Sequence, residues 1–188
     1  MGDIRDVTSS ALDRMQEFKL IGKLLIQFLK DPISEIKNNL DWSWIKTVSV
    51  YAILSIAAGL LNGIISTNIY NLFFGLIFMP IITFVTSHVL SGFFYYYFQI
   101  FERRQVHFLG IFHMVILANI PFLVIHTVTS LLQPLTLLGL ASSAFLLIVG
   151  LTDKFNVIKK RAIQIVSALY FLIFAVWLWE KVIVNHLD

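Results

Sequence analysis

A chain of 188 residues in which 58% are hydrophobic and 13% charged is too apolar for a soluble domain and points to a membrane protein of one domain. The net charge of +3 does not mark a nucleic-acid binder, because the basic residues are strung along the chain rather than gathered on one face. There is no cysteine, which excludes disulfides, thiolate metal sites, cysteine nucleophiles and palmitoylation.

Residues 1–40 form a polar N-terminal segment without the uninterrupted apolar core of a cleavable signal peptide. Within it the pattern predicts an amphipathic interfacial helix over residues 9–30. Ala11, Met15, Phe18, Ile21, Leu25, Phe28 and Leu29 share one face, and Lys19, Lys23 and Lys30 stand opposite, where their stems can snorkel toward phosphates at a membrane surface. Asp31 and Pro32 restart the chain as N-cap and first helical residue of a short segment ending near Leu40.

Trp42 and Trp44 mark an interface, and the first span is expected over residues 45–66. Its Gly59 and Gly63 make a GxxxG, which lets a neighbouring backbone approach closely; packing within the chain is the expected use. No charge occurs between Ile69 and Phe101, a stretch too long for one straight span. Pro80 divides it into an interfacial or kinked lead-in, Ile69 to Phe78, and a second span over residues 80–101, closed by Tyr95–Tyr97 and then Glu102, Arg103 and Arg104.

The third span, residues 107–131, is the expected centre of the bundle. It is uncharged and long enough, at ~1.5 Å per residue, to cross a hydrocarbon core of ~30 Å, yet it carries His113, Asn119 and His126, and Pro121 as a second kink. Such groups need partners inside the protein, so other helices should surround it. Pro134 opens a fourth span over 134–152 with a small-residue seam of Gly139, Ser143 and Gly150. After a basic stretch, a fifth runs over 162–184, with Ala168 and Ala175 as a matching seam and Trp177 and Trp179 at the far interface.

The expected architecture is therefore an all-α, polytopic membrane bundle of five transmembrane helices behind a cytoplasmic amphipathic helix. Five spans leave every Lys and Arg except Lys181 on one side, so the positive-inside rule places the N-terminus in the cytoplasm and the C-terminus outside.

Several features together resemble the Yip (Ypt-interacting protein) domain family. They are the Phe28-Leu29-Lys30-Asp31-Pro32 entry after an amphipathic start, the proline-led second span with His88, the third-span Ala118-Asn119-Ile120-Pro121, and the five-span layout. The likeness covers roughly residues 25–184. It implies a polytopic protein without enzymatic activity. Eukaryotic members bind prenylated Rab GTPases. Here the Asp-Leu-Tyr-Gly-Pro string is absent and Glu102-Arg103-Arg104 replaces a glycine pair found in bacterial relatives; a bacterial-type member of the cytoplasmic (inner) membrane is the favoured placement.

The proposed spans contain no Asp, and HExxH and GxSxG motifs are absent, so no turnover, metal or cofactor is expected. The polar groups left at membrane depth are His88, Tyr95, His113, Asn119 and His126. Measured from the cytoplasmic turn, His88 lies ~20 Å deep and Asn119 ~18 Å, Tyr95 ~10 Å and His113 ~9 Å, which pairs His88 with Asn119 and His113 with Tyr95. Interhelical hydrogen bonds of ~0.6 kcal/mol each are the plainer use of these groups, and three dispersed imidazoles make a weak metal site. Two functions follow. One is a non-enzymatic scaffold that engages the lipid bilayer and, through the N-terminal helix, another membrane or cytoplasmic protein. The alternative is a transporter or lipid-handling protein with a polar path near His88 and Asn119. No nucleic-acid partner is expected, and homo-oligomerisation is left open.

Overall fold

The computed structural model describes residues 22–23, 26–37, 43–129, 132 and 134–187. Most of the expected interfacial helix, including Lys19, lies outside these residues; Lys23 and Lys30 are exposed. Among the described residues, 26–30 are helical and six helices follow in order: α1 (Pro32–Lys37), α2 (Trp44–Ile65), α3 (Ile69–Ile100), α4 (Phe108–His126), α5 (Leu135–Val149), which runs on into a π turn (Gly150–Lys154), and α6 (Lys159–Leu187). No strand occurs among the described residues. Helices α2, α3, α4 and α5 with its π turn are long and apolar enough to cross a membrane, with mean hydropathies of 2.0 to 2.3, as befits a multi-pass membrane protein.

Local chemistry sets the first hairpin. Ser43 caps α2 by accepting from the Lys46 amide, and Asn68 caps α3 by accepting from the Tyr70 amide at 2.9 Å. Between them Thr67 takes a left-handed conformation at φ 51°, so that three residues suffice to reverse the chain. The two helices then meet backbone to backbone. A Cβ built on Gly59 would fall 2.2 Å from the Gly75 carbonyl oxygen, and one on Gly63 would fall 2.5 Å from the Leu72 Cα.

This contact corrects the expected lead-in. Residues 69–78 are no separate interfacial piece; α3 is one helix of 32 residues that passes through Pro80. Proline removes a single helical donor, a loss that a helix in apolar surroundings tolerates when nearby hydroxyls hydrogen-bond the backbone. The carbonyl that loses its helical donor is that of Leu76, four residues back, and α3 continues past this one lost bond. Thr83 Oγ1 donates to the Met79 and Pro80 carbonyls at 2.8 and 3.1 Å beside their helical bonds, and the packing of Gly75 on Gly59 holds the 69–78 part against α2.

Helix α4 is the centre of the bundle: every residue from Ile111 to Ala118 is buried. It ends earlier than expected, at His126 rather than near residue 131, in a tight turn closed by amides of Thr127, Val128 and Thr129 bonding three residues back. Pro121 sits inside it without ending it.

Helix α5 lies along α4 through the expected small residues. A Cβ on Gly139 would approach Phe122 to 3.1 Å, Ser143 Oγ donates to the Ala118 carbonyl at 2.8 Å, and Gly150 faces Met114 and Ile36.

Residues 27–37 pack on the rest of the protein. Phe28 and Ile36 are buried in the same core as α4 and α5, Gln27 Nε2 donates to Glu35 Oε1 at 2.7 Å, and Lys37 pairs with Asp153 at 2.7 Å. Phe28 was expected to face lipid; the notch at Gly150 takes Ile36 and brings Phe28 onto the bundle.

The last helix corrects a second expectation. Ala168 and Ala175 are exposed, and among the described side chains of α6 Ala162 and Val166 are the fully buried ones, backed by Ile165, Leu169 and Tyr170. A small residue makes a seam only where a neighbour comes close enough to use it.

Candidate functional site

Hydroxyls recur every fourth residue on α3 at Thr83, Ser87 and Ser91, and this spacing holds all three on one face toward the bundle, where they are buried. Ser87 is the hub. Its Oγ lies 2.8 Å from the Tyr51 hydroxyl of α2 and accepts from Asn119 Nδ2 of α4 at 3.4 Å. The Tyr51 hydroxyl also reaches the Thr83 carbonyl at 3.5 Å, and Ser91 Oγ donates to the Ser87 carbonyl at 2.6 Å. Across α4, Ser143 of α5 holds the Ala118 carbonyl. Residues from four helices thus bring neutral polar groups together.

Beside this cluster lies a cavity of about 390 Å³. Tyr51, Met79, Thr83 and Leu90 form its buried wall and Asn119 its polar floor, while Tyr170 and Ile173 of α6 close the opposite side. Phe74, Ile82 and Thr86 stand on the rim and are exposed, so the cavity opens sideways between α3 and α6. None of the described lining residues carries a fixed charge.

The five residues singled out from sequence do not form one cluster. Asn119 is the member at the cavity floor, and His126 lines its far end, 3.3 Å from both Asn62 Nδ2 and Thr129 Oγ1 and stacked on Phe122. His88 does not meet Asn119. It sits among the rings of Trp44, Phe84, Phe108 and Phe112, with centroids 4.2 to 6.2 Å away, and its Nδ1 is 3.1 Å from the Phe84 carbonyl. His113 does not meet Tyr95; it is buried against Thr47 Oγ1 of α2. Tyr95 packs edge-on against Phe108 instead. Depth alone produced the expected pairs, but position around the helix decides which neighbour a side chain faces: His88, one residue past Ser87, is turned about 100° from the hub.

Tyr51, Ser87 and Tyr170 carry the site and were missed from sequence. The four-residue recurrence of Thr83, Ser87 and Ser91 was the signal available for the α3 side. Among the described residues no group of three or more His, Asp or Glu side chains is placed to hold a metal ion. Chemically the arrangement offers neutral donors and acceptors at the end of an apolar slot.

A second polar region caps the end of the bundle where the chain is basic. Tyr97 donates to Glu102 Oε1 at 2.8 Å, Arg161 pairs with the same oxygen at 3.2 Å, and Arg104 bonds the Phe155 carbonyl. The Tyr97 hydroxyl first, and Arg161 and Arg104 after it, hold the Glu102 carboxyl below the usual range for glutamate. Arg103, Lys159 and Lys160 remain exposed on this end.

Comparison of the chain with family models, with curated proteins and with solved structures found no match.

Proposed function

We propose that the chain is a five-span, non-enzymatic membrane protein of the Yip type, resident in a bacterial cytoplasmic membrane with its N-terminus in the cytoplasm, where it acts as an interaction scaffold. The observation that carries this reading is the built form of the basic end. The 101–107 loop, the 153–161 segment and α1 come from separate parts of the sequence, yet Arg161–Glu102, Arg104–Phe155 and Lys37–Asp153 tie them together and leave Arg103, Lys159 and Lys160 exposed as a cationic face. A preformed surface binds without first paying to order its loops. Anionic headgroups and a partner protein both complement it, each exposed Lys or Arg near an anionic membrane contributing ~1 kcal/mol. In this reading residues 162–184, within α6, supply the fifth crossing, and the chain ends then lie on opposite sides.

Charge reversal at three exposed positions tests the scaffold: Arg103→Glu with Lys159→Glu and Lys160→Glu, purified from native membranes beside the wild type. Co-purifying protein or anionic phospholipid should fall at least tenfold, and equal recovery would overturn the reading. Tags at Met1 and Asp188 should be reached from opposite faces of a sealed membrane; reaching both from one face would remove the five-span topology.

A specific observation favours lipid handling as a second reading: the lateral cavity with Asn119 on its floor. It predicts one retained lipid per chain when the purified protein is released gently from detergent into a native mass spectrometer. Protein that emerges bare would count against it.

A further inference from the structure

We infer that the cavity between α3 and α6 is a binding site for a neutral, single-chain lipid with a hydroxyl or carbonyl head, the head resting on Asn119 and Tyr51 and the chain lying along α3. This rests on the lipid-handling reading and names its ligand class.

The shape of the site comes first. On α3 alone its lining runs from Phe74 to Leu90, 16 residues apart and so ~24 Å along the helix axis. A volume of about 390 Å³ spread over that length is a narrow slot. It suits one hydrocarbon chain and not the paired chains of a phospholipid. Small-molecule sites span ~300–1,000 Å³, so the volume is sufficient for a ligand.

Access decides where the ligand comes from. Phe74 and Ile82 on the rim are 51% and 48% exposed in apolar stretches of a membrane-crossing helix, so entry is sideways from the bilayer. A ligand arriving from water would have to cross the lipid first.

Charge decides the head. The described lining has no Lys, Arg, Asp or Glu. An unpaired phosphate or carboxylate carried into it would lose several kcal/mol of solvation without a counter-ion. A neutral hydroxyl or carbonyl needs only hydrogen bonds, and the floor has them. The Asn119 amide carries two N–H groups and one carbonyl. One N–H goes to Ser87 Oγ at the long distance of 3.4 Å, which leaves the half-buried amide capacity for a ligand atom. The floor lies ~16 Å along α4 from Phe108, near the bilayer midplane, where neutral long-chain lipids can reside and charged headgroups do not.

The test uses the full chain in phosphatidylcholine nanodiscs with three photoreactive probes of matched chain length: a diazirine-bearing hexadecanol, the corresponding hexadecane, and a diazirine-bearing phosphatidylcholine. The alcohol should label cavity side chains in the segments 74–90 and 119–126, at least fivefold above the alkane. Asn119→Leu, which keeps the helix apolar, should lower that labelling at least fivefold. Tyr51→Phe, which removes one hydroxyl and keeps the ring, gives the same readout should the leucine variant fail to elute as folded protein. Equal labelling by alkane and alcohol, or labelling unmoved by the variants, overturns the head assignment. Preferential labelling of the cavity by the phosphatidylcholine probe overturns it too but leaves lipid handling standing. Adducts from all three probes confined to the outer faces of the helices would remove both.

Discussion

The two sides of the long helix α3 meet the rest of the protein in opposite ways. Toward α2 it is zipped backbone to backbone, with Gly59 on Gly75 and Gly63 on Leu72; toward α6 it leaves a lateral cavity. Both sides are apolar, so hydrophobicity does not distinguish them. In a bilayer the lipid tails are as apolar as leucine, and association is driven by close packing instead. Glycines facing one another permit it on one side. On the other, Phe74, Ile82 and Thr86 stand exposed at the rim of the cavity, whose lining is completed on α6 by Tyr170 and Ile173, and no glycine of α3 faces a glycine of α6 there.

The largest test of this contrast is at the zipped side. Gly59→Leu or Gly75→Leu drives a side chain into a carbonyl that cannot move aside, and should cost about 3 kcal/mol or more, read as loss of folded protein or a large fall in Tm in detergent. Gly150→Leu should cost less, about 1–3 kcal/mol, because the first atoms met belong to the flexible Met114 side chain; a loss equal to that at Gly59 would contradict the geometry. Gly92→Ala has the opposite sign. Nothing lies within 4 Å of the added methyl, so the gain in helix propensity should stabilise by about 0.5–1 kcal/mol in the same melt. Ile82→Phe on the cavity rim should move stability by no more than ~0.5 kcal/mol, and a large fall there would mean the gap is closed in the membrane.

The smallest effect belongs to the basic end, and its sign follows from Glu102. A carboxyl held below its ordinary value adds stability at pH values above the usual glutamate range, and that contribution is lost as pH falls through the lowered folded value. Wild type should therefore lose slightly more stability on acidification than Glu102→Gln, and the difference should shrink at high salt, since Arg161 is exposed. Parallel pH curves would show that the Tyr97–Glu102–Arg161 contact carries no linkage.

What was legible beforehand depended on how local the cause was. Gly59, Gly63, Gly139, Ser143 and Gly150 could be read as close-approach positions because residue size and helical spacing are local facts, and each faces a neighbour in the bundle. Pro80 was expected to divide the uncharged stretch, but one lost donor does not end a helix whose 69–78 part is packed on α2 through Gly75, a contact between separate segments. The expected pairs of His88 with Asn119 and His113 with Tyr95 failed for a different reason. Depth follows from counting residues, but rotation about the axis and the choice of neighbour do not, and Ser87 and Thr47 took the places expected of those partners.

Composition and charge spacing alone determined an all-helical chain with apolar helices of membrane-crossing length and a buried third span, because burial of uncharged stretches and satisfaction of backbone polar groups leave few other solutions. Only the tertiary structure decided which face of each helix meets which neighbour. That choice put Tyr51, Asn119 and Tyr170, drawn from three helices, around one apolar slot with Ser87 bonded to the first two, and no local pattern encodes a distance between side chains so far apart in the sequence.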